Sequence, residues 1–191
     1  MAKQQVYDAS AIQALKGLEP VRRMPGMYTH TIHPLHIVQE AIDNAVDEAL
    51  GGHGRKITVS AFKDGSVEVA DEGRGVPVDL HPAEKRPAVE VAFTMLHAGA
   101  KFTRSGEGIY HISGGLHGVG VAVSNALSKR CEVTVFRNGF RHCIAFEGGE
   151  LKSRLKSERV KSKQTGTVVR LWPDPKYFDS PSIPMAELEH L

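Results

Sequence analysis

Two short turns, each ending in glycine, constrain the fold of this 191-residue chain more than any other feature. Asp64-Gly65 joins the β-rich runs ITVSAF and SVEVAD, and Asn138-Gly139 stands inside CEVTVFRNGFRHCIAFEGG. Asp-Gly and Asn-Gly pairs favour tight hairpin turns, and strands joined directly in this way are antiparallel. We therefore predict an α+β fold: a two-layer sandwich with a mainly antiparallel or mixed sheet and helices on one face.

Residues 33–52, which precede the first predicted hairpin, have a clear helical pattern. Residues 33–52 have Pro34 near the start and Gly51-Gly52 at the end, as helix boundaries favour. Apolar residues recur there at helical spacing and form one face: Val38, Ala41, Ile42, Ala45 and Ala49. We also predict helices over 8–18, 87–99 and about 118–129, and a last strand over 165–174.

The opposite side of the long helix carries polar residues at i, i+4, i+8, i+11 and i+12: His36, Glu40, Asn44, Asp47 and Glu48. A solvent-facing helix side explains that pattern. A binding site explains it too, because a His four residues before a Glu can orient a carboxylate that acts as a general base. Asn44 offers a neutral oxygen that suits hydrated Mg²⁺. Periodicity alone leaves both interpretations open.

Two glycine-containing segments are candidates for a ligand site. GGLHGVG, residues 114–120, lacks the Lys-Ser or Lys-Thr pair of a Walker loop and the glycine order of a dinucleotide fingerprint. Its backbone N–H groups could approach a phosphate at a helix start, and a flexible lid or a close helix packing is the alternative. DEGRGVP, residues 71–77, begins at a strand end. Asp71 can accept a hydrogen bond from an exocyclic amine and Gly75 leaves space for a flat ring, although a plain turn explains the segment better when it is taken alone.

Composition and charge exclude several other classes. The net charge of +2 is too small to argue for nucleic acid by itself, and the two cysteines indicate reduced, buried thiols. No apolar run approaches the ~20 residues of a membrane span, and MAKQQVYDAS lacks the apolar core of a signal peptide. We expect a cytoplasmic protein without membrane partners. The histidines lack zinc spacing. The basic segment 150–163 is predicted to be a solvated loop, with proximity to DNA as the alternative.

Taken together and in this order, QEAIDNAVDEAL, DEGRGVP and GGLHGVG resemble the three nucleotide-binding motifs of the gyrase, Hsp90, histidine-kinase and mismatch-repair ATPase superfamily, whose fold is called the Bergerat or GHKL fold. Within it, the chain is most similar to the ATPase domain of the B subunit of bacterial type IIA topoisomerases. GLEPVRRMPGMY, HAGAKF and TGTVVRLWPD add to that similarity, which covers essentially the whole chain. WPDPKYFDSP looks more like topoisomerase IV than gyrase.

The resemblance implies a role for individual residues. Glu40 would be the general base with His36 polarising it, and Asn44 would hold Mg²⁺. Asp71 would accept a hydrogen bond from the adenine amino group, with a water linking it to Gly75 and Thr167. Glu48 would pair with Arg74, and Lys101 would reach the terminal phosphate. The other nucleotide-binding positions are Asp47, Val76, Pro77, Tyr110, Gly115, Leu116, His117, Gly118, Val119, Gly120 and, reaching the nucleotide of the other protomer, Tyr7. Arg74, Pro77 and Arg137 would line the site where antibiotics compete with ATP.

The resemblance also implies a domain organisation and an activity. Residues 1–191 would form a single ATP-binding domain, with an N-terminal arm and short helix over 1–18 and an ATP lid over 99–120, and without the transducer and DNA-gate regions. ATP hydrolysis, with Mg²⁺, would power dimer-clamp closure and DNA strand passage. Topoisomerase IV would decatenate and relax DNA; the equivalent domain of gyrase, which drives negative supercoiling, is the alternative.

Partners follow from the same resemblance. They would be ATP, the A subunit in an A2B2 heterotetramer, DNA, and ATP-competitive inhibitors such as aminocoumarins. The longer protein would form a homodimer on binding ATP, whereas this fragment would be monomeric and turn over slowly. Three departures stand out: Ala100 replaces a glycine, Glu72 replaces an aspartate, and residues 103–109 lengthen the lid. A chaperone or kinase relative with the same pocket and a non-enzymatic DNA-binding module are the competing hypotheses.

Overall fold

The computed structural model describes residues 14–96, 98 and 120–191, which form a six-stranded sheet and five α-helices. The helices are α1 (Glu19–Arg23), α2 (Leu35–Leu50), α3 (Ala88–Thr94), α4 (Gly120–Ala126) and α5 (Met185–Leu188). The strands are β1 (Ile57–Ala61), β2 (Val67–Asp71), β3 (Ser128–Arg137), β4 (Phe140–Glu147), β5 (Glu150–Arg159) and β6 (Gly166–Pro173). Short 3₁₀ turns cover Pro25–Met27 and Pro175–Tyr177.

Every neighbouring pair of strands in the sheet is antiparallel, in the order β1-β2-β6-β3-β4-β5. Asn138 and Gly139 join β3 to β4 with φ of 54° and 77°, the left-handed conformation that a two-residue hairpin turn requires. The predicted antiparallel α+β fold and the predicted second hairpin are therefore confirmed. The order also brings β6, late in the chain, between the first hairpin and the second.

The core lies between one face of this sheet and the helices. Val38, Ala41, Ile42 and Ala45 of α2 are buried against residues from β2, β3, β4 and β6, which confirms the predicted apolar face. Along β3, buried and more exposed residues alternate, as expected for a strand covered on one face. A second apolar cluster joins α1, α4 and the start of α2. Through these two clusters α2 is packed against both the sheet and α4.

Four predicted segments differ in the structure. The helix predicted over 87–99 ends at Thr94. The solvated loop predicted over 150–163 is wrong for its first part, since 150–159 form the edge strand β5, whose Leu155 packs against the core. The predicted helix over 8–18 is wrong for its described part, since residues 14–18 are not helical and the helix starts at Glu19; residues 8–13 lie outside the described residues. The helix predicted over about 118–129 ends at Ala126, because β3 begins at Ser128.

Candidate functional site

The polar side of α2 is the first part of the candidate site. Along it, Asn44 is exposed, Glu40 and Glu48 are half-buried, and Asp47 is only 2% exposed. The Asn44 amide nitrogen donates a hydrogen bond to the backbone oxygen of Glu40, 2.5 Å away. A helix side that faces water throughout does not bury a carboxylate in this way. The polar side of α2 is therefore buried at Asp47 and accessible to solvent at Asn44.

Glu40 lies against the first residue of α4. A Cβ atom built on Gly120 would overlap the Glu40 carboxylate and would stand 3.1 Å from the Glu40 Cβ. A larger residue at position 120 would force the Glu40 side chain to move. For the GGLHGVG glycines the sequence left phosphate contact and close helix packing open. At Gly120 the structure shows close packing, and its partner Glu40 is one that no local pattern reveals.

His36 is held by a residue that the sequence did not indicate. Its Nδ1 lies 2.8 Å from the hydroxyl of Thr29, in the loop before α2, and its ring meets the ring of His30 edge-on with centroids 5.1 Å apart. Burial lowers the pKa of His36 below its usual 6.5, the nearby His30 lowers it further, and Asp43 opposes both. The imidazole is therefore neutral near physiological pH.

Asp71, at the end of β2, is the second part of the site. Its Oδ1 accepts two backbone hydrogen bonds, from Gly73 N at 2.7 Å and from Thr167 N on β6 at 3.2 Å. Among the described residues, no hydrogen-bond donor is found at its Oδ2. Burial raises the pKa of Asp71 and the charge of Glu48 adds to that, while the two backbone N–H groups lower it. Two hydrogen bonds to Oδ1 thus fix the Asp71 carboxylate, and Oδ2 is left to accept a hydrogen bond from a ligand.

The loop after β2 approaches β3 and β6 closely. The Thr167 hydroxyl accepts a hydrogen bond from Val76 N at 3.1 Å. Gly75 has φ of +75°, and a Cβ there would lie 2.9 Å from the Phe136 carbonyl oxygen and 3.1 Å from that of Gly166. The structure gives a packing reason for this glycine: it lets the loop lie on the sheet. The predicted space for a ligand ring beside Gly75 stays a prediction.

Glu48 and Arg74 form the ion pair that the sequence predicted. Arg74 Nη2 lies 2.8 Å from Glu48 Oε1 and Arg74 Nε lies 3.2 Å from Oε2, while the Arg74 backbone N donates to Oε2 at 2.9 Å. A two-pronged guanidinium–carboxylate contact of this kind fixes orientation as well as distance. It ties the Asp71 loop to α2, the helix that also carries Glu40.

An open cleft of about 420 Å³ adjoins this loop, and Arg74 and Arg137 line it together with Gly52, His53, Gly54, Glu72, Gly73, Asn138 and Thr165. Arg137 Nη1 donates to the Gly75 carbonyl at 2.8 Å. Its Nε is buried and has no hydrogen-bond partner among the described residues. Pro77 is exposed and Val76 packs against the core nearby. Two arginines and Glu72 therefore stand in the wall of this cleft, which the loop after Asp71 borders through Gly73 and Arg74.

Several predicted site residues fall outside the described residues, and their placement stays a prediction: Tyr7, Lys101, Tyr110, Gly115, Leu116, His117, Gly118 and Val119. Within residues 14–96, 98 and 120–191, no group of three or more His, Cys, Asp or Glu side chains could hold a metal ion. Mg²⁺ commonly keeps several waters and takes one or two protein oxygens plus substrate phosphates. The exposed Asn44 amide fits that pattern.

This combination of sheet order, helix and loop is found in a known protein family. Residues 29–177 match the family described as histidine kinase-, DNA gyrase B-, and HSP90-like ATPase. The match covers more than half of the chain and includes α2, the Asp71 loop and Thr167. The chain belongs to this ATPase family.

Relatives within the family are similar over nearly the whole chain. The chain is 54% identical over 188 residues to the B subunit of DNA topoisomerase 4 from Salmonella typhimurium, which is 98% of this chain and 29% of that protein. It is 52% identical over 177 residues to the B subunit of DNA gyrase from Thermus thermophilus, which is 90% of this chain and 27% of that protein. The chain thus spans less than a third of the length of these relatives.

A solved structure in the family confirms the fold. It is the topoisomerase IV ATP binding domain of Francisella tularensis in complex with a small molecule inhibitor, with a TM-score of 0.79 and 43% sequence identity. The similarity covers 91% of this chain and 46% of that one. Among the described residues, no helix is long and apolar enough to cross a membrane.

Proposed function

We propose that this ATPase-family domain binds and hydrolyses ATP as part of a topoisomerase IV-type B subunit. The observation that carries the proposal is the attachment of the Asp71 loop to the helix that carries Glu40. Asp71 keeps one carboxylate oxygen without a donor among the described residues, and Glu40 stands on α2, which Glu48 ties to the loop after Asp71. One carboxylate suits recognition of a base and the other suits activation of water.

Asp71 is proposed to bind the adenine amino group through Oδ2. A carboxylate oxygen is a strong acceptor for an exocyclic N–H, and the two backbone bonds to Oδ1 hold the group so that its other oxygen keeps one direction. Arg137 and Arg74 at the cleft are the residues proposed to contact ATP-competitive inhibitors such as aminocoumarins. Their positions in the wall of the cleft support that role.

Glu40 is proposed to be the general base that accepts a proton from the water attacking the γ-phosphate. Phosphoryl transfer depends mostly on positioning and charge stabilisation, and the contact between Gly120 and the Glu40 carboxylate limits where that carboxylate can point. His36, neutral and held by Thr29, is proposed to orient it. Bound Mg²⁺ would neutralise phosphate charge, with Asn44 as its protein ligand.

For the whole protein, we propose that ATP-driven closure of a dimer of B subunits powers DNA strand passage together with an A subunit. Support comes from the names of the similar proteins, which include topoisomerase IV subunits over 98% of the chain and gyrase subunits over about 90%. Gyrase-type supercoiling is the second candidate. Supercoiling and decatenation assays of the complete A2B2 enzyme separate the two: decatenation and relaxation without negative supercoiling are expected.

Two substitutions test the ATP site itself. Glu40→Ala should keep ATP binding and lose hydrolysis, because the side chain activates water and is not needed to hold the base. Asp71→Asn should weaken binding, because a neutral amide oxygen is a poorer acceptor for the adenine amine. Calorimetric affinity beside turnover checks both. Intact hydrolysis in Glu40→Ala, or unchanged affinity in Asp71→Asn, would contradict the respective assignment.

A further inference from the structure

The buried hydroxyl of Ser124 connects α4 to α2. Ser124 is 1% exposed, and its Oγ lies 2.7 Å from the carbonyl oxygen of Ile37 on α2 and 3.0 Å from that of Gly120 on α4. A serine hydroxyl has a single hydrogen to donate. That hydrogen is shared between two backbone carbonyls that belong to different helices and are more than 80 residues apart in the chain.

Each of these carbonyls belongs to a segment that carries or borders Glu40. Ile37 precedes it by three residues, within the same turn of α2, and Gly120 touches its carboxylate so closely that a Cβ would overlap it. The hydroxyl therefore holds the residue that borders the carboxylate to the helical turn that carries the carboxylate. Any change in the spacing of α2 and α4 at this point moves Gly120 relative to Glu40.

The serine is not explained by local preference. Alanine has a higher helix propensity than serine, and it has no hydroxyl to desolvate. In α4 the neighbouring residues Ala122, Val123 and Ala126 are apolar and buried, so alanine would suit the surroundings. Serine adds a bond to Gly120 within its own helix and, unlike alanine, a bond to Ile37 that links α4 to α2.

We propose that Ser124 is a positioning residue for hydrolysis: it fixes Gly120 against Glu40 and thereby sets the orientation of the carboxylate. The inference rests on the proposed function, in which Glu40 is the general base. Ser124 itself does not border the cleft. Its loss should therefore lower turnover while nucleotide binding through Asp71 is kept.

The test is Ser124→Ala in the complete natural protein. Because small misplacements of a catalytic group are costly, we expect kcat to fall about ten-fold, with less than about a two-fold change in the Kd of a non-hydrolysable ATP analogue. Ser128→Ala is the matched control. Ser128 is also 1% exposed and also donates one buried 2.7 Å hydrogen bond, but to Ser124 O within its own chain segment. It should shift the melting temperature similarly and leave kcat near the natural value.

Two further variants keep the proposal falsifiable if Ser124→Ala folds poorly. Ser124→Thr retains the hydroxyl and should retain most of kcat. Ser124→Cys has nearly the same shape but a weak donor, and should behave as Ser124→Ala. Normal kcat in Ser124→Ala or Ser124→Cys overturns the proposal. So does an equal loss of kcat in Ser124→Ala and Ser128→Ala, or a loss of analogue affinity as large as the loss of kcat.

The proposed function can fail separately. Glu40→Gln should abolish hydrolysis whether or not Ser124 acts as proposed. If Glu40→Gln hydrolyses ATP normally, the assignment of the general base is wrong. If Glu40→Gln is inactive and Ser124→Ala is normal, only the positioning role is lost.

Discussion

The Glu48 carboxylate accepts three hydrogen bonds from Arg74, two from its guanidinium and one from its backbone N–H. One residue is in the last turns of α2 and the other is in the loop that follows Asp71. Hydrogen bonds to charged groups contribute more than neutral ones when they are partly buried, and the Glu48 side chain is only 17% exposed. The pair thus couples the two halves of the site.

We expect Glu48→Ala to lower the free energy of unfolding by about 2–3 kcal/mol and to weaken ATP binding, because the Asp71 loop loses its attachment to α2. Chemical denaturation and calorimetry measure the two effects. Glu158→Ala is a suitable control, since Glu158 pairs with Arg141 at 2.8 Å but both side chains are about half exposed. Exposed pairs contribute about 0–1 kcal/mol, and equal losses in the two variants would contradict the proposed coupling.

Much of the arrangement was predictable because it follows local periodicity. The apolar face of α2 and the Asn138-Gly139 turn are visible in a few consecutive residues. The edge strand β5 was not, because its polar residues show no clear alternation and two register irregularities interrupt its pairing with β4. The contacts of His36 with Thr29 and of Gly120 with Glu40 depend on how separate segments pack. No spacing within one segment encodes them.

Asp71→Asn should have opposite effects on stability and on binding. Because burial raises the pKa of Asp71, the folded state prefers the neutral form, and the ionised carboxylate destabilises the ligand-free domain at neutral pH. We expect the amide variant to melt at a higher temperature than the natural protein and to bind ATP more weakly. A thermal melt without nucleotide and a calorimetric titration check this. A lower melting temperature at neutral pH would count against the assigned cause of the pKa shift.

The pH dependence follows from the same shift. The folded protein holds the Asp71 proton more tightly than the unfolded chain does, so the contribution of this group to stability falls as pH rises from about 3.8 through the raised folded pKa. ATP affinity should change in the opposite sense, since the adenine amine needs an ionised acceptor. The natural protein should lose affinity as pH falls through that range, whereas Asp71→Asn should show a smaller dependence.

Gly75→Ala should destabilise the fold by about 2–5 kcal/mol, from left-handed backbone strain together with overpacking. The new Cβ would press on the carbonyl oxygens of Phe136 and Gly166. Gly139→Ala isolates the strain, because Gly139 has a similar φ of +77° but open space around it, and should cost about 1–2 kcal/mol. Denaturant melts of the two variants decide the point. Equal losses would mean that the close approach of the loop to β3 and β6 contributes nothing.

The charges of β5 should protect its free edge. Exposed lysines and arginines on an edge strand hinder pairing with other chains, and Arg154 and Lys156 are exposed there. We expect Arg154→Thr with Lys156→Thr to increase self-association, measured by light scattering. Lys63→Thr with Lys129→Thr removes the same charge away from the edge and should not. Little DNA affinity is expected from residues 1–191 alone; a salt-sensitive affinity that the two β5 substitutions abolish would favour the DNA-binding alternative.

His36→Gln should flatten the acid side of the stability profile. Burial and His30 lower the pKa of His36 below 6.5, so the unfolded chain binds its proton first as pH falls. The stability that this neutral histidine contributes is present above 6.5 and is lost as pH drops from 6.5 through the folded pKa. The difference in unfolding free energy between the natural protein and His36→Gln should therefore shrink below pH 6.5.

Thr29→Val leaves the Nδ1 of His36 without its partner at 2.8 Å and should lower the free energy of unfolding at neutral pH by about 1–3 kcal/mol. Denaturation series at several pH values measure both effects. If the difference in unfolding free energy between the natural protein and His36→Gln stays constant with pH, burial in the folded protein does not lower the pKa of His36.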